Sequence, residues 1–341
     1  MQGVPVRLYN RFEEEIVAMR EQGGVMVEGS VEGFGPLELV TTDPAPVVGW
    51  ADILMVVVPA FVHRLIADTC APYLRDGQIL ILNPGRTGGA LEFASRLRER
   101  GVRVRVTVAE AQSLVYACRL SRPAEVRITG IKKQIRLAAF PASETAAVVE
   151  AVRPLYPQFG PATNVLETSL DNIGAVFHPG TVVLNANRIE AGEDFEFYRS
   201  MTPSVTRFLE IIDQERLTVA QAFGVELDSA GEWLQRSYEG VSGDTLHERI
   251  QSNRAYEGIK APKSLRVRHL LEDVPTGLVP LASLGALAGV PTPACRAVAD
   301  ISCVLLERDF WAEGRNARNL GLSGMSLAEI GEYVNTGLRD P

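Results

Sequence analysis

The stretch DILMVVVPAFVHRLIADTCAPYLRDGQILILNPG, residues 52–85, holds two apolar runs separated by an amphipathic one. Residues 52–59 are apolar at nearly every position, which predicts a strand covered on both faces, as in a parallel sheet. A helix is expected near 61–74 and a second buried strand at QILILNPG, 78–85. Another helix near 89–100 and the β-branched run VRVRVTVAE, 102–110, continue the alternation. Strand, crossover helix and strand again define an α/β, Rossmann-like doubly wound parallel sheet. Its ligands bind at the carboxyl ends of the strands, here Val58, Pro59 and Ala60 on one strand and Asn83, Pro84 and Gly85 on the next. The first trio is expected near the middle of a bound dinucleotide and the second near one of its halves.

Upstream, VPVRLYN (4–10), a helix near 12–22 and the strand-like runs VMVEG and LELVT complete the first part. A dinucleotide-binding sheet opens with a strand, a GxGxxG turn and a helix whose amides receive the pyrophosphate. This chain has no such turn; its first strand, ending at Asn10-Arg11, resembles the second strand of such a fold. Loss of the central strand would expose several buried side chains at about 1.5–3 kcal/mol each. The expectation is therefore that the sequence starts at an internal methionine, with one strand, loop and helix encoded upstream. An acid at the second-strand tip would bond a ribose diol, whereas Asn10 and Arg11 suit a 2′-phosphate, which weighs NADP(H) over NAD(H).

After Pro161 the pattern becomes helical, with long amphipathic stretches near 202–223 and 293–312. The boundary falls in YPQFGPATNV, 156–165, giving a nucleotide-binding domain over 1–160 and an all-α domain over 161–341. With 341 residues and a net charge of −8, the chain has no basic run for nucleic acid, so small molecules are the expected partners. Its four cysteines are far apart with no CxxC, which points away from a metal cage or disulfide framework and fits a reducing cytoplasm. The opening residues lack a signal-peptide core, and the apolar runs at 53–62 and 278–290 are too short or too broken to span a bilayer. The apolar helical half is of a kind that supports a homodimer.

Within that half, DNIGAVFHPGTVVLNANRIE (171–190) places His178 between two helix-like runs, against a Pro-Gly break, where its ring is either aimed at a cleft or satisfied in the core. Arg268 and Asp273 bracket Leu270-Leu271, and Asp273 precedes a Val-Pro-Thr-Gly turn, where it either caps a helix or serves catalysis. Asn172 either lines a substrate pocket or caps a helix, and Glu110, at a strand tip, either meets a substrate amine or pairs with a neighbour. Gly88-Gly89 either simply start a helix or meet a carboxylate or phosphate. His63 reads as a surface or helix-start residue, and Trp233, Tyr238, Tyr256 and Trp311 as core or interface aromatics.

The blocks DNIGAVFHPG, SNRAYEGIKAP (252–262), RHLLEDVPTGLVPLASLGALAGVPTP (268–293) and GLSGMSLAEI (321–330), with DILMVVVPA and LILNPGRTGGALEF before them, resemble the NAD/NADP octopine/nopaline dehydrogenase (opine dehydrogenase) family. The resemblance covers essentially the whole chain, apart from the family's glycine-rich loop. It implies a Rossmann domain that binds the nicotinamide cofactor and a helical domain with a 6-phosphogluconate dehydrogenase C-terminal-like fold. It also implies reductive condensation of an amino acid with a 2-oxo acid such as pyruvate. His178 matches the family's catalytic histidine, Asp273 its partner aspartate and Arg268 its arginine. A histidine suits the acid/base work near neutral pH, a carboxylate fixes its tautomer, and an arginine holds a substrate carboxylate or extends the pair. The competing expectations are a two-domain dehydrogenase that reduces a ketone and a binding module that lost its cofactor loop.

Overall fold

The structure, a computed structural model, describes residues 3–339. Its first strand, β1 (Arg7–Tyr9), runs parallel to β4 (Leu39–Thr41), and the helix Glu13–Gln22 connects away from β1. Between them, β2 (Gly24–Gly29) and β3 (Gly33–Pro36) form a hairpin. The main sheet begins with β5 (Ile53–Val56), β6 (Ile79–Leu82) and β7 (Thr107–Ala111), all parallel. A second hairpin, β8 (Tyr116–Arg122) and β9 (Glu125–Ile131), leaves this sheet and joins β2, making a four-stranded sheet ordered β3-β2-β9-β8. The chain then returns with β10 (Ile135–Phe140), antiparallel to β7, and β11 (Phe159–Pro161), giving the five-stranded order β11-β10-β7-β6-β5.

In a doubly wound sheet of order 3-2-1-4-5-6, the pair β4-β1 and the edge strand β5 flank the first strand. Among the described residues no strand joins β1 to β5, and β1–β4 stands as a separate two-stranded sheet. VRVRV, 102–106, also differs from expectation. Gly77 and Arg105 bond one another's loop, and pairing with β6 starts only at Thr107, whose N–H donates to the Gln78 carbonyl. Val102, Val104 and Val106 pack on the core from an irregular segment instead.

The main sheet is buried on both faces, with a period of two. Leu80, Leu82, Val108, Ala138 and Phe140 enter the large core shared with the helical half. Ile81, Ala109, Leu137 and Ala139 enter a smaller core closed by Val148, Val149 and Val152 of the helix Thr145–Val152. That alternation with no polar face is what made the strands read as uniformly apolar. From Val165 the named elements are helical, and the last helix, Leu327–Thr336, turns back to the sheet, where Tyr333 meets Phe140 edge-on at 4.9 Å.

Two details correct the reading of the helical half. The expected break at Pro179-Gly180 lies inside one helix, Ile173–Leu184. Pro179 removes one helical N–H, and Gly180 is there for packing: a Cβ on it would stand 2.9 Å from Leu209 of the helix Pro203–Ala222. The run Arg268–Ala288, with mean hydropathy 1.2, has the length and composition of a membrane span, but 78% of its most apolar window is buried inside the fold. It is a core helix interrupted by a π-type turn, in which the Leu278 N–H donates to the Asp273 carbonyl at 3.0 Å.

That turn packs on the His178 helix through Gly277, where a Cβ would come within 2.7 Å of the Ala175 Cβ. Gly277→Val is expected to destabilise the fold by about 1–3 kcal/mol in equilibrium urea unfolding. An unchanged midpoint would contradict this close approach.

Candidate active site

His178 projects from the Ile173–Leu184 helix toward the π-type turn, and its Nδ1 lies 2.7 Å from Asp273 Oδ2. Its Nε2 lies 3.1 Å from the Tyr198 hydroxyl. The ring stacks on His269 with centroids 4.5 Å apart, and Phe197 closes the side of that stack at 4.9 Å from His269. Asp273 is wholly buried and does not cap a helix with its side chain. Burial alone would raise its carboxyl, yet Arg86 and His178 bring it down to about 2. An ionised carboxylate only accepts, so His178 Nδ1 carries a hydrogen, which in the neutral ring makes Nε2 the acceptor. Burial raises the Tyr198 phenol, which keeps its proton and donates to Nε2. His269 is pushed down to about 3, first by burial and then by His178, so it is a neutral wall of the site and not a second base.

A cation absent from the sequence reading stands at the centre. Arg86, in the loop after β6, places Nη1 at 3.6 Å from Asp273 Oδ1 and 3.3 Å from Asn172 Oδ1, and Nη2 at 3.3 Å from Glu272 Oε2. Burial would lower its pKa, but Asp273 and Glu272 hold it above the ordinary value. Asn172 does not cap its helix with its side chain; its amide instead bridges Arg86 and the Thr87 hydroxyl, the latter at 3.2 Å. Arg268 is paired with Glu272 at 3.4 Å, not with Asp273, and its side chain is 54% exposed, which leaves its guanidinium open to a ligand.

The strand tips are tied to this cluster through their backbones. The Ala60 N–H donates to Glu272 Oε1 at 2.9 Å. Arg315, buried, donates to the carbonyls of Ala60, Gly85 and Thr87 at 3.2, 2.9 and 2.8 Å and to Glu92 at 2.8 Å. It also meets His63 Nδ1 at 2.9 Å; His63 starts the helix His63–Cys70, one of its two expected placements, and is buried behind the strand tips and not at the surface. Burial, followed by the charges of Arg315 and Arg86, keeps that imidazole neutral. Val58 and Pro59 remain accessible above β5, as Pro84 does above β6, while Asn83 is buried. Among the described residues Asn83 Oδ1 has no hydrogen-bond partner, a buried acceptor that fits a hydroxyl or amide of a nicotinamide nucleoside. The pyrophosphate has no comparable glycine-rich cradle in this sequence.

Of the other expected contacts, Glu110 follows its alternative of pairing with neighbours, and Asn10 is placed differently. Glu110 is sealed in the core, accepting from Thr168 and Ser169 hydroxyls and the Ala90 N–H at 2.7, 2.6 and 2.7 Å. Asn10 is occupied locally, donating to Glu15 and accepting from the Phe12 N–H, whereas Arg11 is exposed over the Phe12 ring. The residues the sequence reading missed are Arg86, Glu272, Tyr198, His269 and Arg315. Arg86 had a usable signal, a charge one residue beyond a strand tip, and Glu272 adjoins Asp273. Tyr198, twenty residues from His178, gave none.

Parallel strand tips roofed by helices that carry a hydrogen-bonded His-Asp pair suit a two-domain oxidoreductase. Residues 161–306 match the NAD/NADP octopine/nopaline dehydrogenase alpha-helical domain. An opine dehydrogenase of Arthrobacter sp. (strain 1C) is 41% identical over 336 residues, 98% of this chain and 93% of that protein. Octopine dehydrogenase solved with NADH and L-arginine superposes with a TM-score of 0.83 at 21% identity, over 99% of this chain and 93% of the other. Yersinopine dehydrogenase with bound NADP+ superposes with a TM-score of 0.74 at 16% identity, over 97% and 92% of the two chains. The chain belongs to the NAD/NADP octopine/nopaline dehydrogenase (opine dehydrogenase) family and is an NAD(P)-dependent oxidoreductase.

Replacing Arg315 by Met leaves Glu92 buried without its cation. The expected loss is about 3–5 kcal/mol of unfolding free energy. Denaturation at neutral pH measures it, and a loss below about 1 kcal/mol would show that Arg315 does not hold the strand tips.

Proposed function

We propose that this protein joins the amine of an amino acid to a 2-oxo acid such as pyruvate and reduces the imine, giving a secondary amine dicarboxylate. The observation that carries the reading is the 2.7 Å contact between His178 Nδ1 and the ionised Asp273, which leaves Nε2 as the working nitrogen. Nε2 takes a proton from the amino acid's ammonium, and the freed amine attacks the oxo carbon while a second N–H proton passes to the oxygen, giving a carbinolamine. Nε2–H then returns its proton to that hydroxyl, which leaves as water to form the protonated imine. The Asp273 charge holds the tautomer and stabilises the imidazolium between those two steps. Tyr198 yields its position at Nε2 to the substrate nitrogen or donates beside it. Arg268 binds a substrate carboxylate with its exposed edge, while Arg86, tied to Asp273, Glu272 and Asn172, keeps the buried charges balanced. The bound nicotinamide supplies the hydride. Asn83, Pro84 and Gly85 hold its half of the cofactor, and Val58, Pro59 and Ala60 the middle.

For the cofactor, exposed Arg11 at the end of β1 favours the 2′-phosphate of NADP(H) over NAD(H). Four unpaired cysteines accord with a reducing cytoplasm as its location.

His178→Ala is expected to lower amine-dependent NADPH oxidation by at least about 100-fold while NADPH affinity stays within about twofold. Retention of more than about a tenth of the rate would contradict the acid/base role. Arg11→Ala is expected to weaken NADPH binding by about tenfold and to leave NADH binding unchanged, read by fluorescence titration. Equal loss for both cofactors would remove the 2′-phosphate assignment.

A further inference from the structure

Lys132 is a cation that the charge balance above does not use. It follows β9 directly, and its N–H donates to the Val115 carbonyl at 3.0 Å. Its ammonium is part-buried and touches the Ser113 hydroxyl. Among the described residues no carboxylate pairs with it, whereas Arg86 has both Glu272 and Asp273. A part-buried ammonium held against a neutral hydroxyl loses hydration without a compensating charge. Consistent with that, burial and then the Arg86 charge push the Lys132 ammonium down to about 8. An anion arriving there would restore the balance.

The location says which anion. Ser113 lies two residues beyond the end of β7, and Ala111, the last residue of that strand, accepts from the Gly85 N–H at 3.1 Å. Lys132 and Ser113 therefore stand at the carboxyl edge of the sheet, beside the β6 tip and the Arg86 loop. The carbon that receives hydride is the oxo carbon, which must lie over that edge. Its carboxylate is one bond away. Arg268 stands on the helical half, with a half-exposed guanidinium paired to Glu272. We propose that Lys132, assisted by the Ser113 hydroxyl, anchors the carboxylate of the 2-oxo acid, and that Arg268 takes the carboxylate of the amino acid. This rests on the reductive condensation proposed above, and it adds the residue that selects an oxo acid over an uncharged ketone or ester.

The test compares wild type with Lys132→Met and Lys132→Arg, using NADPH and the amino acid giving the highest wild-type rate. Pyruvate and methyl pyruvate are varied in turn. Loss of one charge-assisted contact predicts a pyruvate KM raised about ten- to hundredfold in Lys132→Met. The KM values for methyl pyruvate and the amino acid, and kcat, stay within about threefold, and Lys132→Arg recovers most of the pyruvate affinity. A merely structural lysine would shift both oxo substrates together. An unchanged pyruvate KM, or parallel rises for pyruvate, its ester and the amino acid, overturns the assignment. Wild-type turnover separately tests the reaction itself. Should the wild type not turn over, the thermal shift that pyruvate induces in the NADPH-loaded protein reads the same anchor, and its persistence in Lys132→Met overturns it.

Discussion

Asp273 is a carboxylate with no access to water, and the rest of the site answers its charge. An unpaired buried carboxylate would protonate; this one is held ionised by His178 on one oxygen and Arg86 near the other. Each partner comes from a different part of the chain. His178 stands on a helix of the second half, and Arg86 on the loop after a strand of the first. The charge thus joins the two halves beside the tips of β5 and β6.

Glu272 and Arg315 extend the same logic to the backbone. Glu272 accepts the Ala60 N–H at the tip of β5 and pairs with both Arg86 and Arg268. Arg315 gathers the carbonyls of Ala60, Gly85 and Thr87 from below. The tips of β5 and β6, which a sheet alone would leave as mobile loops, are fixed by side chains from the helical half. Preorganisation of this kind is what aligning a hydride donor with its acceptor requires.

The parts legible in the sequence were those with strong periodicity or an unusual residue. The β5 and β6 runs announced a sheet buried on both faces, and the helices Pro203–Ala222 and Pro293–Leu306 lay within the amphipathic stretches. His178 and Asp273 stood out by residue type and setting, and the structure brings them into contact. The β8–β9 hairpin was not legible, because its strands are largely exposed and lack the apolar signal of the main sheet. Pro179-Gly180 misled, since the local preference to end a helix is overridden by packing against Leu209. Tyr198 and Arg315 act through contacts between separate segments of the chain, which no local pattern encodes, and Arg86 carried only the signal of its place beyond a strand tip.

The most direct measurement is mass spectrometry of what the protein makes from pyruvate, an amino acid and NADPH. The account predicts one secondary amine dicarboxylate for each NADPH consumed, with no consumption when the amino acid is omitted. Lactate formed at the same rate with or without the amino acid would mean that the His178–Asp273 pair serves reduction of a ketone, and would contradict it.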